Sequence, residues 1–267
     1  TDNLTGLTET LAREDRLNEP EATLTVTRTV SDATRELSRT VTVSKRIGIG
    51  PAAALREVYR EERGAEDDYT PRTASASYHE DGANPARNGT PRFVTGDDRP
   101  WRYTARDTRG RAVLALGQLD GSCEPHEDQL RALDAFAAAR LTTNGIPADA
   151  LADLPPGLSP CTITLCSYEP AGPADSADPD HDGTPRAESA FILRGPASGA
   201  TPVSSITRVI TRFETNGLPA VATATTRLPP PGAPGGGKTS LDVRHADTGA
   251  PDAFRNLPLL EITESGV

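Results

Sequence analysis

Thr and Val alternate through residues 22–30 (ATLTVTRTV) and again through 39–47 (RTVTVSKRI). Side chains two apart share a sheet face, so this period predicts two half-buried strands joined by a turn. The period changes after Gly50-Pro51. Leu55, Val58 and Tyr59 fall on one helical face, Pro is tolerated at the first helical position, and Gly64 follows the run, which predicts a helix over 51–63. A strand over 72–78 ends at Ser77-Tyr78 and leads into a polar loop over 79–91. Upstream, Leu4, Leu7 and Leu11 also fit a helix face. Residues 1–20 therefore read either as an arm lying on a neighbour or as a short helix on its own domain.

A similar order returns. Residues 101–107 and 111–119 read as a hairpin turning at Thr108-Arg109-Gly110. A helix then runs over 125–141. Pro125 opens it, with Glu124, Glu127 and Asp128 at its positive end, and Arg140 lies at its negative end. Leu130, Leu133, Phe136, Ala137 and Leu141 form its apolar stripe. The strand CTITLC over 161–166 follows, then Ser167-Tyr168 and an Asp/Pro/Gly loop to about 185. Strands are predicted over 187–194, 203–214 and 219–228, with Thr215-Asn216-Gly217 as a hairpin turn. Residues 229–237 form a Gly/Pro loop, and 240–245 and 257–263 add edge strands.

The expected fold is β-rich α+β: antiparallel sheets with two main covering helices. The chain divides into the segment 1–20, β-rich units over 21–98 and 99–228, and a C-terminal stretch over 229–267. Two echoes accompany the recurring order: Ser77-Tyr78 with Ser167-Tyr168, and Asn88-Gly-Thr-Pro-Arg92 with Asp182-Gly-Thr-Pro-Arg186. They fit a duplicated hairpin-helix-strand unit, or two independent copies of a common arrangement.

Composition narrows the function classes. The 267 residues hold 28 Lys+Arg against 38 Asp+Glu, a formal charge of −10, and the arginines are interleaved with acids. A phosphate binder needs a clustered basic footprint, so nucleic acid is not the expected main partner. Aromatics at 4% leave little for stacking on single strands. No apolar run reaches the length of a membrane span and no basic-then-apolar signal opens the sequence, so no membrane span is expected. Thr1-Asp2-Asn3 reads as a start from which Met was trimmed, consistent with synthesis in the cytoplasm. Three cysteines are too few for a disulfide scaffold.

Four patterns carry candidate chemistry. Asp178-Pro-Asp180-His-Asp182-Gly183 is similar to the opening of an EF-hand or dockerin-type calcium loop, with carboxylates at positions 1, 3 and 5 and Gly at 6. Position 12 is Ser189 rather than Glu, so the resemblance covers six residues and implies at most a Ca²⁺ site at Asp178, Asp180 and Asp182. Cys123-x-x-His126 with Cys161 and Cys166 offers zinc-type ligands. Residues five apart on a strand face opposite sides, however, which favours plain buried cysteines. His79 and His126 each open a His-Glu-Asp tripeptide; a carboxylate can orient a histidine as general base, although adjacent side chains seldom meet. Gly232 to Thr239 satisfies the literal phosphate-loop spacing, but Pro229-Pro230-Pro231 precedes it where a buried strand is required.

No convergent catalytic set emerges. The leading expectation is a structural, self-assembling component of a larger particle, such as a phage virion or tail-tube-like protein, with copies of itself or other particle subunits as partners. The rivals are a cofactor-free enzyme or small-ligand-binding domain from a GC-rich bacterium, its site near His79 or His126, and a calcium-dependent extracellular module.

Overall fold

The computed structural model describes residues 7–16, 22–48, 53–64, 70–119, 123–158, 160–168, 183–195, 199–246 and 257–264. Its strands are β1 (Thr8–Arg16), β2 (Thr23–Ser31), β3 (Glu36–Ile47), β4 (Ala54–Gly64), β5 (Arg72–Tyr78), β6 (Pro91–Gly96), β7 (Arg99–Arg106), β8 (Ala112–Gln118), β9 (Cys161–Ser167), β10 (Ala187–Leu193), β11 (Thr201–Thr215), β12 (Leu218–Leu228), β13 (Lys238–His245) and β14 (Pro258–Glu264). They follow chain order in one antiparallel sheet, so each hairpin partner is also a sequence neighbour. Helix is confined to α1 (Glu127–Arg140) and a 3-10 turn at Ala148–Asp153. This corrects the α+β expectation: the protein is nearly all β, and α1 is its one full helix among the described residues. The chain divides into two compact units, Thr1–Gly110 and Arg111–Val267.

In the first unit the segment predicted as a helix over 51–63 is β4, paired with β3 along Ile47↔Ala54 to Ser38↔Gly64. A register shift at Val43/Ser44 lets Tyr59 and Glu57 face consecutive partners, which leaves Val58 as the extra residue of a bulge. Strong local helix formers such as Leu55, Arg56 and Glu57 are overridden by the ladder with β3, which a second ladder with β5 joins at Tyr59–Glu62. The helical spacing at Leu7 and Leu11 is likewise overridden. Residues 8–16 form β1, tied to β2 along Thr8↔Ser31 to Arg16↔Thr23 and braced by Arg28 donating to Glu9 at 2.8 Å.

The faces of β2 and β3 are alike. Val26 lies opposite Thr42, while Thr25 lies opposite Val43 and Thr27 opposite Val41. Each apolar stripe thus sits on its own face beside a neighbour's Thr and Ser. Neither face becomes a core, and Ile47 is the only buried residue described in β1–β4. Burial deepens further along, and in β7 it runs through three consecutive residues, Tyr103, Thr104 and Ala105. Phe93, Trp101, Tyr103 and Ala105 are buried, while Arg102 between them is exposed. The Phe93 and Trp101 rings lie 6.3 Å apart at a tilted angle.

In the second unit Leu114 pairs with Leu165 and Leu116 with Ile163, giving one apolar face. These four and Cys161 are nearly inaccessible. The stripe Leu130, Leu133, Phe136 and Ala137 of α1 is buried too. Gln129 donates to the Gly157 carbonyl at 2.7 Å and Arg140 pairs with Asp153, tying both ends of α1 to the segment that leads into β9.

The duplicated hairpin-helix-strand unit is not present, since the first helix does not exist. What the two echoes mark is smaller. Ser77 pairs with Phe93 and Ser167 with Ala187, one residue beyond the Pro-Arg pair in each copy. Tyr78 donates its hydroxyl to the Glu57 carbonyl at 2.9 Å, and Tyr168 donates to the Ala112 carbonyl at 3.0 Å. In both hairpins the tyrosine at the strand end ties back to the preceding strand.

Candidate functional site

A concavity of about 290 Å³ is built by β4–β7 of the first unit. Small side chains make its floor: Ala74, Ala76, Val94 and Gly96. Gly96 is required there, because a Cβ would lie 2.9 Å from the Thr73 carbonyl oxygen and 3.1 Å from the Ala74 Cβ. Arginines and carboxylates make the walls in equal number: Arg60, Arg72 and Arg99 with Glu57, Glu62 and Asp98. Arg60 donates to Glu57 at 2.7 Å and lies 3.7 Å from Glu62, and Arg72 donates to Asp98 at 3.1 Å.

The lining holds no His, Cys or Lys. Tyr59 donates to the Glu61 carboxylate, and that bond raises its phenol further above neutrality. Burial raises the Tyr78 phenol as well. The hydrogen bond to Glu57 raises the Arg60 guanidinium. All three shifts favour the protonated form of the group. The cavity is a charge-balanced polar recess.

The sequence-derived candidates fall elsewhere and do not converge. Asp178, Asp180 and Asp182 lie outside the described residues. His79 is buried at the start of the loop after β5, where its Nε2 bonds the Thr104 carbonyl at 2.9 Å and its Nδ1 faces Arg87 at 3.4 Å. Its own amide donates to the Thr90 carbonyl, and Gly89 donates back to the His79 carbonyl. The ring thus clamps the loop to β7. His126 is the N-cap of α1, its amide bonded by the Gln129 side chain at 2.9 Å, an exposed capping position. The two His-Glu-Asp tripeptides therefore share no environment.

Cys161 is buried, and burial pushes its thiol up to about 11, so it is an unreactive thiol. Cys123 is exposed, and no three metal-ligand side chains gather among the described residues. Lys238 opens strand β13 where a nucleotide loop would need a helix. Trp101 is a core residue at 2% exposure. The cavity was missed in sequence because β4, which supplies much of its wall, carries helix-forming residues. The alternation Thr73-Ala-Ser-Ala76 was the available signal.

No family model matches the chain, and no curated protein matches it.

Proposed function

We propose that the protein is a structural subunit whose sheet is extended laterally by copies of itself, forming the wall of a larger particle. The observation that carries this reading is the open edge at β14. Among the described residues β14 has one strand partner, β13. Leu257, Leu259, Leu260 and Ile262 there are each 45–48% exposed. Natural sheets usually blunt such edges with lysine, proline bulges or a covering element, because unpaired backbone groups beside apolar side chains recruit another strand. β14 carries one such device, Pro258 at a register shift where the strand begins, and the apolar side chains beyond it remain about half exposed.

The occupant we assign is β1 of a second copy. That strand is exposed throughout and carries Leu11 at 67% exposure together with Arg13 and Arg16. β14 carries Glu261 and no basic residue within Pro258–Ile262. Pairing β14 with β14 would set Glu261 near its own copy, whereas pairing with β1 brings arginines within reach. The present partners of those arginines, Asp15 and Glu14, are exposed neighbours on the same strand, and such pairs are weak and exchangeable. A head-to-tail contact of this kind repeats into a ring or a filament. The similar faces of β2 and β3 suit a wall wetted on both sides.

Light scattering on size-exclusion fractions tests it. The wild-type mass should rise with loading concentration, and Ile262→Lys should weaken association about tenfold or more by placing a charge in the apolar contact. A monomer mass at every concentration, or an unchanged rise in the variant, would reject the reading.

A further inference from the structure

Three Asn-Gly pairs occur in the chain: Asn88-Gly89, Asn144-Gly145 and Asn216-Gly217. Asparagine before glycine is open to a spontaneous intramolecular reaction. The backbone nitrogen of the glycine, after losing its proton, bonds to the asparagine Cγ. The Cγ–Nδ2 bond breaks and ammonia departs with the proton. Water then opens the cyclic imide at either carbonyl, restoring the backbone N–H and leaving aspartate or isoaspartate. The step needs a glycine amide that is not already donating, room for the side chain to swing over it, and access for water.

The three sites differ in these respects. Asn88 is 9% exposed, and the Gly89 amide donates to the His79 carbonyl at 2.7 Å. The Gly145 amide donates to the Thr142 carbonyl at 3.2 Å, and a Cβ on Gly145 would lie only 2.4 Å from the Cys166 carbonyl oxygen, so the backbone there is tightly enclosed. Asn216 and Gly217 instead form the two-residue tip of the β11–β12 hairpin, closed by Thr215↔Leu218. Both are exposed, both have positive φ (53° and 74°), and nothing lies within 4 Å of where a Gly217 Cβ would be. In a two-residue hairpin turn of this hand the second turn residue's amide points away from the ladder.

We infer that Asn216-Gly217 is a selective deamidation and isoaspartate-forming site of the folded protein, with Asn88 and Asn144 protected by the fold. The co-reactant is water, and the product adds a carboxylate at the hairpin tip. Isoaspartate also adds a backbone carbon to the tip, and a two-residue turn has no slack to absorb it.

The test is peptide mapping by mass spectrometry of the intact protein aged in mildly alkaline and mildly acidic buffer, beside the same protein aged in denaturant. Conversion of Asn216 in the tryptic peptide 213–227 should outpace Asn88 and Asn144 at least about fivefold in the folded protein, the two slow sites each having a glycine hydrogen bond to break. It should be faster at alkaline pH, and the three rates should converge in denaturant. Asn216→Gly keeps a residue suited to the turn and should abolish the conversion in that peptide. Equal rates at the three sites in the folded protein would overturn the inference, as would a preference for Asn216 that persists unchanged in denaturant.

Discussion

Asp97 shows how a single side chain sets a local condition on the fold. Sitting between β6 and β7, it accepts hydrogen bonds from the Thr73 amide and the Thr73 hydroxyl, and these hold its carboxyl below the ordinary 3.8. A carboxyl whose folded value is lowered stabilises the fold above its unfolded value and loses that contribution as pH falls through the folded one. Asp97→Ala should therefore lower the melting temperature at neutral pH. The gap from wild type should close once acid has protonated Asp97, which thermal melts across the range below pH 3.8 would follow. A gap independent of pH would mean that the variant acts through lost contacts alone. Residues whose role depends on their own chemistry were legible in sequence: the acids and Arg140 at the ends of α1, and Asn216-Gly217 as a turn. His79 was not, because its partners are the Thr104 carbonyl and Arg87, and a backbone carbonyl leaves no mark in a sequence pattern.

At the scale of elements, α1 and β4 make the comparison. Both segments have apolar residues at helical spacing. The stripe of α1 is buried, with Leu133 fully so, whereas Leu55 in β4 is 44% exposed and Val58 sits in a bulge. Leu133→Ala should destabilise the protein by about 2–5 kcal/mol. Leu55→Ala should change stability by no more than about 0.5 kcal/mol. Denaturant melts of the two variants distinguish the strand from the amphipathic helix, since a helix over 51–63 would bury Leu55 on its packed face. The sequence misled here for a physical reason: Leu, Arg and Glu favour helix locally, and the preference is overcome only by pairing with β3 and β5, which local pattern does not encode. Where Val and Thr alternate, as in β2 and β3, local preference and pairing agree and the strands were legible.

On the scale of the whole molecule, strand order was readable in outline because each strand pairs with its chain neighbour, and turn residues at Thr108-Arg109-Gly110 and Thr215-Asn216-Gly217 separate the strands. The one-sheet architecture was less so, since β4 was read as helix and the segment holding β1 as an arm or a short helix. For the polar cavity the alternation at Thr73–Ala76 was the one signal, because the rest depends on β4–β7 standing side by side. Hydrogen exchange of the amides in residues 258–264, followed by mass spectrometry at low and high protein concentration, reads lateral growth at the outer edge of that sheet. Addition of a strand to β14 predicts that these amides gain protection as concentration rises in the wild type and fail to gain it in Ile262→Lys. Exchange that is the same at both concentrations would contradict the account.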